Sequence, residues 1–132
     1  MIRLMLLTVF CLSFGVSSVF AFETQAQRFE KEMAKYDRTG EMQDCVSQSQ
    51  IKNTTVLDDN HILYELNGNN FMLNTLDQKC HNLGFNKSFS ITVRGGRVCK
   101  SDIIHVYENP GIGGACGLGQ FEKLIQKTKE NN

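Results

Sequence analysis

The chain has 132 residues, 41% of them hydrophobic and 21% charged, with 14 Lys and Arg balancing 14 Asp and Glu. That length accommodates one core and not two. The composition excludes a disordered, collagen-like or multi-span membrane chain, and the balanced charge lacks the Lys/Arg excess of a nucleic-acid binder.

Arg3 is the single charged residue before Glu23, and residues 4–21 between them are rich in Leu, Val and Phe. A basic start, an apolar run and a small-residue exit at Val19-Phe20-Ala21 describe a secretory signal peptide, so residues 1–21 are predicted to be removed after Ala21. The competing reading is an uncleaved anchor. Ser13, Gly15, Ser17 and Ser18 dilute the run and Ala21 favours cleavage. Phe10 before Cys11 argues against lipidation there. Removal leaves 111 residues from Phe22, with 13 basic and 14 acidic side chains and four cysteines. No membrane span is then expected, and the chain is expected to be secreted.

Residues 23–38 read as a helix, because Ala26, Phe29, Met33 and Tyr36 recur at steps of three and four and Thr39-Gly40 supplies a stop. Together with a linker this occupies residues 22–43, and a β-rich domain is expected over 44–125. Residues 50–57 contain the β-branched Ile51, Thr54, Thr55 and Val56 and end at the turn Asp58-Asp59-Asn60. Residues 62–66 and 71–76 flank Asn67-Gly68-Asn69-Asn70, a strong hairpin signal. Residues 88–94 alternate Phe89, Ile91 and Val93 with Ser90 and Thr92, so one face is buried. Gly95-Gly96 then turns the chain into a returning strand over 97–107. Residues 109–119, with five glycines and Pro110, read as a loop. Residues 121–125 form a short strand or a helical turn, and 126–132 a frayed polar tail. The fold expected is mainly β, a small antiparallel sheet or partly closed barrel preceded by one helix and stapled by disulfides.

Cys45, Cys80, Cys99 and Cys116 form an even set in an exported chain, where thiols pair. Their spacings of 35, 19 and 17 residues contain no C-x-x-C and no clustered pair, which argues against redox and zinc sites. Of the three connectivities, Cys80–Cys99 with Cys45–Cys116 is favoured, closing one loop around a strand and tying the start of the β region to its end. Loops of about 20 and about 70 residues would contribute ~3 and ~4 kcal/mol.

No catalytic residue is assigned. Asp58, Asp59, Asp77, Asp102, His61, His81 and His105 supply carboxylates and imidazoles, but G-x-S-x-G and H-E-x-x-H are both missing. Gly111-Ile112-Gly113-Gly114 lacks the helix and lysine of a phosphate loop. No cofactor or metal is expected. Arg94, Arg97 and Lys100 surround one hairpin tip and are the candidate contact for an anionic polymer or lipid head group. The competing view is a solvated turn with basic residues that discourage edge pairing. Asn53-Thr54-Thr55 and Asn86-Lys87-Ser88 match the N-glycosylation acceptor pattern.

Between Asp44-Cys45 and Gly119-Gln120-Phe121 the pattern resembles a family of small exported proteobacterial proteins with a domain of unknown function. The resemblance runs through Ile51, Val56-Leu57-Asp58-Asp59, Asn74-Thr75-Leu76, Cys80, Leu83 and Phe89. It continues through Cys99, Asp102-Ile103-Ile104 and Gly114-Ala115-Cys116-Gly117-Leu118-Gly119. It implies a bacterial source and hence a periplasmic address, and it transfers no functional residue. The function expected is a non-catalytic binding or structural module of the cell envelope, with an unidentified envelope protein or ligand as partner. The alternatives are an envelope enzyme using Asp and His in a cleft, or a secreted inhibitor or effector.

Overall fold

A computed structural model describes residues 22–128. The signal peptide read at residues 1–21 and most of the polar tail therefore lie outside the described residues. The architecture is mainly β, with antiparallel sheets that do not close into a barrel.

Helix α1 (Gln25–Met33) begins at Thr24, which forms a reciprocal capping box with Gln27. It ends five residues before the sequence expectation. Met33 is its last residue, and Tyr36 starts strand β1 (Tyr36–Gln43) rather than a further helical turn. The reason is tertiary. β1 pairs antiparallel with β10 (Phe121–Gln126), from Tyr36 opposite Gln126 to Gln43 opposite Phe121, and those ladder bonds outweigh local helical periodicity. Gly40, expected to stop the helix, instead sits at φ +70° in a β-bulge between Arg38 and Met42. The same pairing ties down the start of the expected tail, since Lys127 N donates to Lys35 O.

Strands β3 (Ile51–Val56), β4 (His61–Leu66) and β5 (Asn70–Thr75) form the expected meander around the Asp58-Asp59-Asn60 turn and the Asn67–Asn70 hairpin. Together with β1 and β10 they make a five-stranded sheet in the order β1-β10-β5-β4-β3. One face carries Leu63, Phe71, Leu73 and Leu124, and Phe29 and Met33 of α1 pack there beside Tyr36 and Leu57. Arg28 fastens the helix by donating to Leu57 O and Gly84 O, each at 2.7 Å. The opposite face carries Val56, Ile62, Tyr64, Leu66, Met72 and Phe121 into the main core.

The second half of the chain departs furthest from expectation. Residues 97–107 are not one returning strand. β7 (Arg97–Cys99) pairs with β2 (Cys45–Ser47), and only β8 (Ile103–Glu108) returns to pair with β6 (Phe89–Ile91). The glycine-rich segment expected as a loop is strand β9 (Gly111–Gly117), which completes a three-stranded sheet β6-β8-β9. Glycine has weak strand propensity, so here the β8 ladder supplies what the side chains do not. Of the two readings left open for residues 121–125, the strand is correct. A short helix, α2 (Leu83–Asn86), lies between β5 and β6.

Buried polar contacts join the layers. Asn74 donates to Gly119 O at 2.7 Å and accepts from Gly119 N at 3.0 Å, entirely inside the protein. A Cβ at Gly119 would run into the Thr75 carbonyl oxygen, so that position requires glycine. Glu122 is 6% exposed and takes both Arg38 Nη2, at 2.7 Å, and the Gly40 amide. The Arg38 hydrogen bond, against the opposing effect of burial, holds the Glu122 carboxyl below the usual glutamate range.

The disulfides are Cys45–Cys99 and Cys80–Cys116, which corrects the favoured pairing. β2 and β7 place Cys45 directly opposite Cys99. Cys116 lies on β9 opposite the fully buried Ile104 and reaches Cys80, which follows β5. Reading 97–107 as one strand had hidden the β2–β7 pairing that brings Cys45 to Cys99.

Two outcomes follow from this packing. Non-reducing peptide mapping should recover Cys45 with Cys99 and Cys80 with Cys116. On the chain-entropy account, removing either pair by Cys→Ala substitution should cost about 4 kcal/mol in urea unfolding. Because the Glu122 pKa is lowered on folding, its contribution is present above the ordinary glutamate range and lost as pH falls through the lower folded value. Stability measured by urea midpoint should therefore drop below about pH 4, and Glu122→Gln should flatten that drop while lowering stability at neutral pH.

Candidate functional site

β3 and β6 are edge strands of two different sheets, and among the described residues no strand pairing joins them. Between them lies a cleft of about 370 Å³. Its walls are Ile51 and Thr54 on one side and Phe89, Ile91 and Val93 on the other. Val98 and Gln48 close one end, where Gln48 N donates to Gly96 O. The side chains arrive by strand alternation. Phe89, Ile91 and Val93 face inward as their period-two pattern predicts, and Thr54 lies directly across from Tyr64 on the inner face of the β3–β4 ladder.

Tyr64 also lines this cleft. It is 2% exposed and packs edge-on against Phe121 with ring centroids 5.1 Å apart. Its hydroxyl is buried and, among the described residues, has no hydrogen-bond partner. Burial pushes the phenol well above its usual range, and the negative charge of Asp102 adds to the shift. A buried tyrosine hydroxyl normally finds a partner, and leaving one unpaired costs about 1–3 kcal/mol. Sequence reading missed this site. Periodicity showed that Phe89, Ile91 and Val93 face inward, but not that two sheet edges stand apart in front of them.

The basic residues occupy another surface. Arg94 and Arg97 are bridge partners across the Gly95-Gly96 turn and are brought together. Lys100 stands apart, beyond the Cys45–Cys99 bridge, with its amide donating to Asp44 O. Arg94 shares a hollow of about 310 Å³ with Thr92, Asp102 and His105 on the side of β6 and β8 away from the cleft.

Acid–base groups are divided. His61 Nδ1 lies 2.9 Å from both carboxylate oxygens of Asp58, and Phe29 covers the imidazole at 4.3 Å between centroids. Burial raises the Asp58 pKa, but the His61 and Asn60 hydrogen bonds outweigh it and leave the carboxyl below its usual range. Neither residue lines the cleft or the hollow. In the hollow, Asp102 accepts from Cys99 N at 2.7 Å, and among the described residues no hydrogen bond joins it to His105. Thus the paired imidazole lies outside both concavities, and the hollow that holds His105 has no such pair among the described residues. Asp59 caps the Gly84 amide and lies 3.7 Å from Lys79, a structural role. Asp77 lines a separate surface cavity with Lys79, and His81 is exposed beside Cys80. Among the described residues no group of three His, Cys, Asp or Glu is placed to hold a metal ion, and no helix is long and apolar enough to cross a membrane.

Tyr64→Phe should stabilise the ligand-free protein, by about 1 kcal/mol in urea unfolding, because it deletes the unpaired group and keeps the ring. A loss of stability would mean that the hydroxyl is satisfied in solution.

A family model described as a family of unknown function (DUF6491) matches residues 1–131, so the chain belongs to that family. The match takes in α1, which the sequence resemblance had left outside. No curated protein and no solved structure matches the chain.

Proposed function

We propose, for this member of a family without an assigned activity, that the chain is an exported, non-catalytic binding module of the bacterial cell envelope. The observation that carries the binding role is the apolar cleft between β3 and β6, whose lining offers no acid, base or nucleophile beyond hydroxyl groups. A largely apolar concavity with a few polar groups is the usual form of a small-molecule site. Support for export comes from residues 1–21, with their basic start, apolar run and Ala21 exit, and from two disulfides of the kind formed in oxidising compartments. The periplasm is the compartment that fits a bacterial source.

The module reading is tested with N-phenyl-1-naphthylamine, a neutral dye that brightens in apolar sites. The oxidised protein should raise its emission saturably. Ile91→Lys or Val93→Lys should abolish the rise while the far-ultraviolet circular dichroism stays native. Equal emission from these variants would place binding elsewhere and overturn the reading. For export, intact mass from a cell-envelope fraction should correspond to a chain beginning at Phe22. A mass that retains Arg3 would refute cleavage after Ala21.

The Asp58–His61 pair favours a second reading, an envelope enzyme in which Asp58 orients the imidazole. It would require a turnover that His61→Ala removes and Ile91→Lys leaves intact.

A further inference from the structure

We propose that Arg94 and Arg97, with Ser47 beside them, form a binding site for a phosphate group, on a surface apart from the β3–β6 cleft. The backbone places the two arginines. Gly95 and Gly96 both take φ +67°, the pair of positive angles that a two-residue I′ hairpin turn requires, and Arg94 and Arg97 are bridge partners across them. Arg97 is in turn the ladder partner of Ser47 on β2. Residues directly opposite in antiparallel strands share a face, with Cβ atoms about 5 Å apart, so Arg94, Arg97 and Ser47 stand in one row.

The tip that carries this row is anchored. Gly96 O accepts from Gln48 N at 2.9 Å, and Cys99, next but one to Arg97, is bonded to Cys45. Edge guarding does not account for Arg97: a guard belongs on a strand with an open side, and Arg97 has a pairing partner on both sides. Two like charges are thus held opposite each other, an unfavourable arrangement that an anion shared between them relieves. Among the described residues no carboxylate forms an ion pair with either arginine. Asp102, which shares the hollow with Arg94, gives one oxygen to the Cys99 amide at 2.7 Å.

The donor set selects phosphate over carboxylate. One guanidinium fork fills both oxygens of a carboxylate by itself. Two forks in one row offer more donors than a carboxylate can accept, and they match the tetrahedral oxygens of a phosphate group. Ser47 Oγ lies 3.0 Å from Ser49 Oγ, so one hydroxyl proton serves that contact and the other is left to donate. Lys100 stands beyond the Cys45–Cys99 bridge and is not part of the row.

The oxidised protein is titrated with inorganic phosphate and, at equal ionic strength, with acetate, following the arginine Nε–Hε resonances. Phosphate should shift those of Arg94 and Arg97 together and saturably, and acetate should bind more weakly. Arg97→Gln should weaken phosphate at least about tenfold, the weight of one charge-assisted hydrogen bond. Arg97→Lys, which keeps the charge and loses the fork, should weaken it as well, whereas Lys100→Gln should leave the affinity within about twofold. Arg97 and Lys100 are both exposed, and the wild-type titration stands without any variant. Equal losses from Arg97→Gln and Lys100→Gln would reveal a diffuse positive field and overturn the site. Acetate binding as tightly as phosphate, or unshifted arginine resonances, would overturn it too. Sedimentation with phosphatidylcholine vesicles, with and without phosphatidylglycerol, identifies the source of the phosphate. Pelleting that needs phosphatidylglycerol and that Arg97→Gln removes assigns it to a lipid head group. Saturable phosphate binding without pelleting assigns it to a soluble phosphate.

Discussion

One flank of this protein is sewn shut, and the other properties of the molecule follow from that asymmetry. Cys80–Cys116 joins the end of β5 to β9, and the buried Asn74–Gly119 pair holds the chain between β9 and β10 against the same strand. Cys45–Cys99 fixes the small β2–β7 sheet at the base. With the sheets pinned along that side, Ile104, Val106, Leu118 and Phe121 can bury completely. The opposite flank, where β3 and β6 end their sheets, has no disulfide or ladder connection among the described residues, and a cleft lies between them. The cleft is what this one-sided closure leaves.

Opening one flank carries a thermodynamic cost that the staples are suited to offset. Ile51, Phe89, Ile91 and Val93 are only partly buried, so they contribute less hydrophobic free energy than a sealed sandwich would obtain from them. A domain of this size has little stability in reserve. Constraining the unfolded chain at two points compensates without adding surface to bury. The Tyr64 hydroxyl is a second cost of the same kind, accepted inside the core next to the open side.

Legibility from sequence followed the range of the interactions. The β3–β4–β5 meander was readable because β-branched content, the Asp58-Asp59-Asn60 turn and Asn67-Gly68 are local signals. α1 was readable over its length, where the Ala26, Phe29 and Met33 stripe is a local signal, and misread at its end, where Tyr36 happens to continue the helical period while its backbone pairs with residues some ninety positions away. β9 was hidden because glycine announces a loop, and only β8 tells it otherwise. The cysteine pairing failed for the same cause, since it depends on the non-local β2–β7 ladder. Arg94 and Arg97 were correctly seen as neighbours, being two residues either side of a tight turn. The cleft is the most non-local feature, a space between two edges, and no ligand-binding motif marks the residues that line it.

The pairing of β1 with β10 also sets a timetable. The strand that begins the described sheet has as its only ladder neighbour the strand that ends it, and β10 is also what separates β1 from β5. A chain emerging from its N-terminus can build the β3–β5 meander early, but β1 has no strand to bind, and the β5 edge stays bare, until residue 126 has emerged. Such long-range closure slows folding. Among the described residues, the strand made last is thus the one that holds the first in place.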